Sequence, residues 1–123
     1  MKKFLFASMI AMTAMAGAAH AEVGGAMTPK TVNYSCQRGK SINVTYYFNK
    51  QGLPTKAVSK LNGAKRTMPT NLNLSDSTGT TFGKSRTYMI GTDAMDSTNY
   101  NQLTLSTVTS PSNRIIYKEC SPN

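Results

Sequence analysis

Apolar and polar residues alternate along most of this chain, and this alternation limits the fold more than any other feature of the sequence. The clearest case lies between residues 42 and 48, where Ile42, Val44, Tyr46 and Phe48 alternate with Asn, Thr and Tyr. Successive side chains of a β-strand point to opposite faces, so this pattern predicts a strand with one buried face. No helical periodicity of any length is present, which predicts an all-β fold.

Similar runs recur along the chain and are separated by turn signals. They cover residues 31–36, 55–61, 64–68, 72–74, 80–82, 86–90, 103–109 and 114–120. Asn62-Gly63 between two of them predicts a tight hairpin, because both residues tolerate the positive φ that a type I′ turn requires. The apolar positions shift phase between Leu105 and Val108, which predicts a β-bulge near Ser106. We predict a small antiparallel β-barrel of about eight strands, because closure removes exposed strand edges.

Two cysteines, Cys36 and Cys120, are the only ones in the chain, so only one intramolecular disulfide can form. One lies near the start of the predicted fold and the other near its end. A disulfide between them would close nearly the whole domain into a loop. In the chain-entropy model this contributes about 4–5 kcal/mol to the free energy of unfolding.

The N-terminus has the order of a secretory signal peptide. Met1-Lys2-Lys3 supplies a positive head, an apolar run follows to about Gly17, and Ala19-His20-Ala21 provides small residues at a cleavage site. We predict a signal peptide over residues 1–21, a flexible arm over 22–30 and the barrel domain over 31–123. We then expect export to the periplasm, with surface exposure and secretion as open alternatives, and no transmembrane segment.

The predicted mature domain lacks the residues that most enzymes and metal sites use. Its only histidine, His20, leaves with the signal peptide, and the disulfide leaves no free thiol. This removes Ser-His-Asp and Cys-His arrangements and most zinc sites, so we expect neither an enzyme, a metal nor a cofactor. Asp76-Ser-Thr and Asp96-Ser-Thr repeat the same three residues at predicted turns, and we interpret the repeat as coincidence.

Charge favours anionic partners. Loss of Lys2 and Lys3 lowers the formal net charge only from +9 to +7. A basic exported domain is attracted to anionic surfaces such as glycans or membranes. The basic residues are scattered singly apart from Lys65-Arg66, and export argues against nucleic acid as the partner.

Several segments of the chain resemble the neisserial adhesin complex protein family, and both cysteines lie in them. The segments are Thr31-Val-Asn-Tyr-Ser-Cys36, Val44-Thr-Tyr46, Phe48-Asn-Lys-Gln-Gly-Leu53, Met68-Pro-Thr-Asn-Leu72, Ile90-Gly-Thr92, Met95-Asp96 and Lys118-Glu-Cys-Ser-Pro122. The resemblance covers the chain from about Lys30 onward. It implies a small antiparallel barrel similar to the periplasmic and membrane-bound inhibitors of c-type lysozyme.

Two activities are implied by this resemblance. One is inhibition of host c-type lysozyme by insertion of loops at the active-site cleft, and the other is adhesion. The alternative is an adhesin that binds anionic host or cell-surface glycans and does not inhibit lysozyme.

The resemblance also implies which residues contact lysozyme. Lysozyme inhibitors carry a Ser-Gly-x-x-Tyr loop and, farther along, a Lys; here these positions hold Thr78-Gly-Thr-Thr-Phe82 and Thr92. Adhesin complex relatives carry Met-Asp-Gly-Lys-Ser-Tyr-Arg, which here reads Met95-Asp-Ser-Thr-Asn-Tyr-Asn101, with Ser97 in place of the Gly. We therefore expect Thr78, Thr92, Ser97, Tyr100 and Asn101 to bind lysozyme. The loops 75–82 and 92–101 would lie at one end of the barrel, with Tyr100 as the anchor.

Overall fold

Eight antiparallel strands form the protein in the structure, a computed structural model that describes residues 28–123. The strands are β1 (Thr28–Ser35), β2 (Ser41–Phe48), β3 (Pro54–Leu61), β4 (Ala64–Pro69), β5 (Gly79–Phe82), β6 (Met89–Asp93), β7 (Leu105–Thr109) and β8 (Ile115–Pro122). Their order in the sheet is β4-β3-β2-β1-β8-β7-β6-β5, and the sheet curls into a nearly closed barrel. The predicted all-β barrel is confirmed.

The start of β1 differs from the prediction. Thr28, Pro29 and Lys30 pair with Phe48, Tyr47 and Tyr46 of β2, so these three residues belong to the barrel and not to the predicted arm. Backbone pairing with β2 extends the strand although residues 28–31 are all exposed, and proline is tolerated at the outer end of a strand. The predicted signal peptide and residues 22–27 of the arm lie outside the described residues.

The barrel consists of two four-stranded meanders, β1–β4 and β5–β8, which meet at two short seams. At the first seam, only Tyr34 and Ser35 of β1 pair with β8. The backbone N–H of Asn123 adds a hydrogen bond to the carbonyl oxygen of Asn33, at 2.8 Å. The predicted disulfide between Cys36 and Cys120 is confirmed, and it lies directly beside this seam. A covalent bond therefore joins the two meanders where their hydrogen-bonded pairing is short.

The second seam lies between the segment after β4 and the end of β5. Thr70 forms an antiparallel bridge with Phe82, and the N–H of Gly83 donates to the carbonyl oxygen of Pro69 at 2.7 Å. Gly83 has φ +91°, and a Cβ there would clash with the carbonyl oxygen of Tyr88 in the same connection. Glycine is therefore required at this position, which also donates the N–H that closes the seam.

The core fills the interior of both meanders and follows the alternation in the sequence. Its buried members are Val32, Tyr34, Ile42, Val44, Tyr46, Phe48, Ala57, Leu61, Met68, Phe82, Ile90, Met95, Leu105, Val108 and Cys120. Two tyrosine hydroxyls, of Tyr34 and Tyr46, lie 2.6 Å apart within it and satisfy each other by a hydrogen bond. Burial raises the pKa of Tyr34 to about 12. Burial, together with the neighbouring phenol, also raises the pKa of Tyr46.

The predicted bulge is confirmed at Ser106. On β6, Gly91 pairs with Thr107 but the next residue, Thr92, pairs with Leu105. Ser106 is therefore the extra residue that has no partner on β6. It returns Leu105 and Val108 to the buried face in spite of their uneven spacing.

Two predicted strands are wrong or displaced. Residues 72–74 form a turn, in which the Asn71 side-chain oxygen accepts the N–H groups of Asn73 and Leu74. This local hydrogen bonding competes with a strand ladder and leaves the Leu72 side chain exposed. The strand predicted over residues 86–90 begins only at Met89, because residues 84–87 form a turn in which Arg86 has a positive φ of 70°.

Replacement of both cysteines by alanine tests the role of the disulfide. The residues are 84 positions apart, so their removal should lower the free energy of unfolding by about 4 kcal/mol. Urea denaturation measures this, and the unmutated protein in excess reductant should match the variant. An unchanged midpoint in both samples would show that the seam holds without the covalent bond.

The buried tyrosine pair predicts a loss of stability in alkali. Both phenols have a folded-state pKa above the ordinary value of 10.0, so the folded protein favours the protonated forms. Their contribution is complete below pH about 10 and is lost as the pH rises toward 12 and beyond. Urea denaturation from pH 8 to 12 should show this decline, and the variant Tyr34→Phe/Tyr46→Phe should decline less. Equal slopes for both proteins would contradict the prediction.

Candidate functional site

Three loops gather at one end of the barrel. Because the strands run up and down in sequence order, the connections 49–53, 70–78 and 94–104 all emerge at the same end. Asp76, Asp93 and Asp96 lie in or beside these loops. We call this the aspartate end. The expectation that the loops 75–82 and 92–101 share one end agrees with this topology.

Asp76 organises the loop before β5. One oxygen of its carboxylate, Oδ1, accepts three hydrogen bonds: from the hydroxyl of Thr78 at 2.6 Å, from the N–H of Thr78 at 2.8 Å and from the N–H of Gly79 at 3.1 Å. These donors, the Thr78 hydroxyl first, hold the pKa of Asp76 below its usual range. The loop is thus fixed by its own side chains.

Asp96 builds the same turn in the loop between β6 and β7. Its Oδ1 accepts the hydroxyl of Thr98 at 2.6 Å, the N–H of Thr98 at 2.8 Å and the N–H of Asn99 at 3.0 Å. The Thr98 hydroxyl is again the main cause of a lowered pKa of the carboxyl. The repeated Asp-Ser-Thr is therefore no coincidence, since both copies form one kind of turn at one end of the barrel.

The loops are also bonded to each other and to the barrel. Met95 donates its N–H to the hydroxyl of Thr80 at 3.0 Å, which ties the loop 94–104 to β5. Ser97 donates its N–H to the carbonyl oxygen of Gly52 at 2.9 Å, which ties the same loop to the turn 49–53. A Cβ on Gly52 would lie 2.6 Å from the Ser97 hydroxyl oxygen. The aspartate end is consequently a pre-ordered surface, which lowers the entropy lost on binding.

A groove of about 400 Å³ runs between the two aspartate turns. Asp76 borders it on one side and Asp96 on the other, and two leucines line it. Leu72 is 82% exposed and Leu53 is 51% exposed. Exposed leucines beside a groove, flanked by hydrogen-bonding groups, are typical of a protein interaction site. Sequence reasoning missed both, because it placed Leu72 in a strand and gave Leu53 no role beyond the family resemblance.

The fold leaves some of the predicted contact residues exposed and buries others, partly or fully. Thr78 and Asn101 are exposed at the aspartate end, and Ser97 is half-buried there. Tyr100 is half-buried as well, and its ring packs against Phe48 with the ring centroids 5.5 Å apart. Tyr100 therefore anchors its own loop to the core, in addition to any contact with a partner.

Thr92 does not join this surface. It lies in β6 with 6% of its surface exposed, and its hydroxyl donates to the carbonyl oxygen of Asp93 at 2.8 Å. The alignment with the Lys of lysozyme inhibitors brought Thr92 into the expected set, but alternation along β6 turns its side chain inward. The structure gives it no surface through which to reach a partner.

Clusters of metal-binding residues and membrane-spanning helices are both absent from residues 28–123. No group of three or more potential metal ligands occurs among them. No helix in the same part of the chain is long and apolar enough to cross a membrane.

Comparison with known proteins assigns the family. The model of the family described as the ACP-like domain, Nm-ACP, matches residues 30–122. The chain belongs to this family. A solved structure of an adhesin complex protein from Neisseria meningitidis is 46% identical to it, with a TM-score of 0.73. The match covers 77% of this chain and 100% of that one, while no curated protein matches. The resemblance found in the sequence is thus confirmed for the ACP-like domain family.

The hydrogen bonds in the two aspartate turns predict how the carboxyl groups of Asp76 and Asp96 titrate in threonine variants. Replacing Thr78 by Val removes the main donor to Asp76 and should raise the pKa of Asp76 toward its usual value. The pKa of Asp96 should stay low, because its donors belong to the other loop. Thr98→Val should produce the reverse result. Carboxyl titration by NMR measures both groups in each variant, and a change at both carboxyls in either variant would contradict two separate turns.

Proposed function

We propose that the protein inhibits host c-type lysozyme by placing its aspartate end at the active-site cleft of the enzyme, and that it also serves as an adhesin. Membership of the ACP-like domain family supports the proposal, and so does the barrel fold. The solved relative carries adhesin in its name, and we extend an adhesive role to this chain on that ground. In both roles the protein is a binding protein and not an enzyme.

The groove between the aspartate turns is the observation that carries the proposal. It brings an exposed leucine, Leu72, together with polar loop residues on a surface held in place by hydrogen bonds. Ser77 and Asn101 are exposed nearby, and their side chains make no hydrogen bond within the described part of the chain. They offer neutral donors to the pair of carboxyl groups that a glycoside hydrolase such as lysozyme uses.

Electrostatics also favour this end of the barrel. C-type lysozymes are generally basic, so a predicted mature protein of net charge +7 is repelled by them at long range. Asp76, Asp93 and Asp96 offset the charges of Lys30 and Lys50 at the aspartate end, which is therefore less basic than the opposite end. An encounter with the aspartate end forward is repelled less than one through the opposite end.

The donors that this chain offers are weaker than those of its relatives. Asn101 stands where adhesin complex relatives have Arg, and neutral hydrogen bonds to carboxylates are weaker than charge-assisted ones. A larger share of the binding free energy must then come from apolar contact. This makes the two groove leucines more important than the sequence alone indicates.

Leu72→Ala tests the proposed site. Leu72 is 82% exposed, so the change should leave the melting temperature nearly unaltered. Burial of a leucine in an interface contributes about 1.5–3 kcal/mol, so inhibition should weaken by about tenfold or more. Hydrolysis of bacterial cell walls by human lysozyme, titrated with the purified protein, measures the inhibition constant.

Ile115→Ala is the matched control for this experiment. Ile115 is also a large exposed apolar residue, at 57%, but it lies at the start of β8, at the opposite end of the barrel. Its replacement should leave inhibition unchanged. Equal effects of both variants would move the site away from the aspartate end, and a parent protein that never slows lysozyme would leave adhesion alone.

A further inference from the structure

Basic side chains collect at the end of the barrel opposite the aspartate end. That end carries the connections 36–40, 62–63, 83–88 and 110–114. The basic residues in or beside these connections are Arg38, Lys40, Lys60, Lys65, Arg66, Lys84, Arg86 and Arg114, and Lys118 adjoins them on β8. These residues are scattered in the sequence, but the fold concentrates them. The result is a molecule with one strongly basic end and one end at which aspartates and lysines offset each other.

Two adjoining hollows lie within this basic end and share Lys40, Ile116 and Tyr117. The first, of about 240 Å³, is also lined by Arg38 and Lys118. The second, of about 330 Å³, is also lined by Arg114, and by the polar side chains of Asn62 and Ser110. Together the two hollows form a trough across β8, which we call the basic trough. No aspartate or glutamate lines it; Glu119 lies nearby and accepts a hydrogen bond from Gln37 at 2.6 Å.

The cations of the basic trough are arranged for an external anion. Arg38, Arg114 and Lys118 are exposed and form no ion pair within the described residues. Lys40 is held in the centre, because its Nζ donates to the carbonyl oxygen of Ile116 at 3.0 Å. A row of exposed positive charges with one fixed cation is suited to a chain that carries several negative groups.

The tyrosines that line the basic trough argue against nucleic acid as the polyanionic ligand. Proteins that bind single strands stack the bases on open aromatic faces. Here the Nζ of Lys40 lies 5.3 Å from the ring centroid of Tyr117, and the guanidinium of Arg66 lies 4.8 Å from that of Tyr88. Both rings already have a cation on one face and are half-buried. The concave shape of the trough is also a poor match to a flat bilayer.

We propose that the basic trough binds a sulfated glycan chain of the glycosaminoglycan type. Sulfate groups would pair with the exposed arginines and lysines, and Asn62 and Ser110 would hydrogen-bond the sugar hydroxyls. This site lies away from the aspartate end, so it does not compete with lysozyme. This inference rests on the proposed adhesive role, and it specifies the ligand class and the binding site for that role.

The test measures the affinity of the full chain for a heparin octasaccharide and compares two double variants. Arg114→Gln/Lys118→Gln removes one exposed cation from each hollow of the trough. Lys30→Gln/Lys50→Gln removes the same net charge from exposed positions outside it. The dissociation constant for heparin should rise at least about tenfold for the first variant and less than about twofold for the second. Direct pairing of Lys and Arg with the anionic groups of a polyanion dominates its affinity.

Three results would overturn the inference. The first is an equal loss of heparin affinity in both variants, since this would reflect net charge alone. The second is equal binding of heparin and chemically desulfated heparin. The third is tighter binding to phosphatidylglycerol vesicles or to oligo(dT) than to heparin.

The same variants separate this inference from the proposed function. Arg114→Gln/Lys118→Gln should inhibit lysozyme as well as the parent does, because its changes lie outside the aspartate end. Adhesion to host cells, measured in parallel, should fall with heparin affinity. Adhesion that persists in a protein unable to bind heparin would overturn the part assigned to the basic trough in adhesion and leave the adhesive role itself standing.

Discussion

The closure of two short seams is the constraint on which the rest of the molecule depends. Each meander pairs its own strands over many residues, but β1 and β8 pair over only two residue pairs. The disulfide between Cys36 and Cys120 lies beside that short pairing, and Gly83 permits the other seam to close. Without both seams, the buried faces of the two meanders would not enclose a single core. The loops at each end of the barrel would then no longer be held in fixed positions relative to one another.

The distribution of charge shows what the barrel adds to the sequence. In an up-and-down barrel, the connections after odd-numbered strands lie at one end and the connections after even-numbered strands lie at the other. Single charges that look dispersed along the chain therefore become one strongly basic surface and one surface of nearly balanced charge. Because screening acts within about 8 Å at physiological salt, a partner close to one end responds mainly to that end and much less to the net charge. A basic protein can in this way present its least basic face to a basic enzyme.

Much of the fold could be predicted from alternation and turn residues, whereas the site could be predicted only in part. Ile42, Val44 and Phe48 can be placed in the core from the sequence, because period two fixes the face of each side chain. The exposure of Leu72 could not be predicted in the same way, because the side-chain oxygen of Asn71 redirects the backbone into a turn. The grouping of Asp76 with Asp96 required the topology as well.

The two-meander design also bears on the order in which the molecule folds. Every strand pairing within β1–β4 joins neighbours in sequence, so this half has low contact order and can form quickly. Cys36 follows the first strand and Cys120 lies in the last, so the first meander can form before Cys36 meets its native partner. Until then the thiolate of Cys36 can attack a disulfide of another molecule, which forms a mixed disulfide and releases a thiol. Correct oxidation therefore depends on when Cys36 and Cys120 meet as well as on their geometry. A disulfide isomerase would act chiefly by reversing mixed disulfides that form earlier.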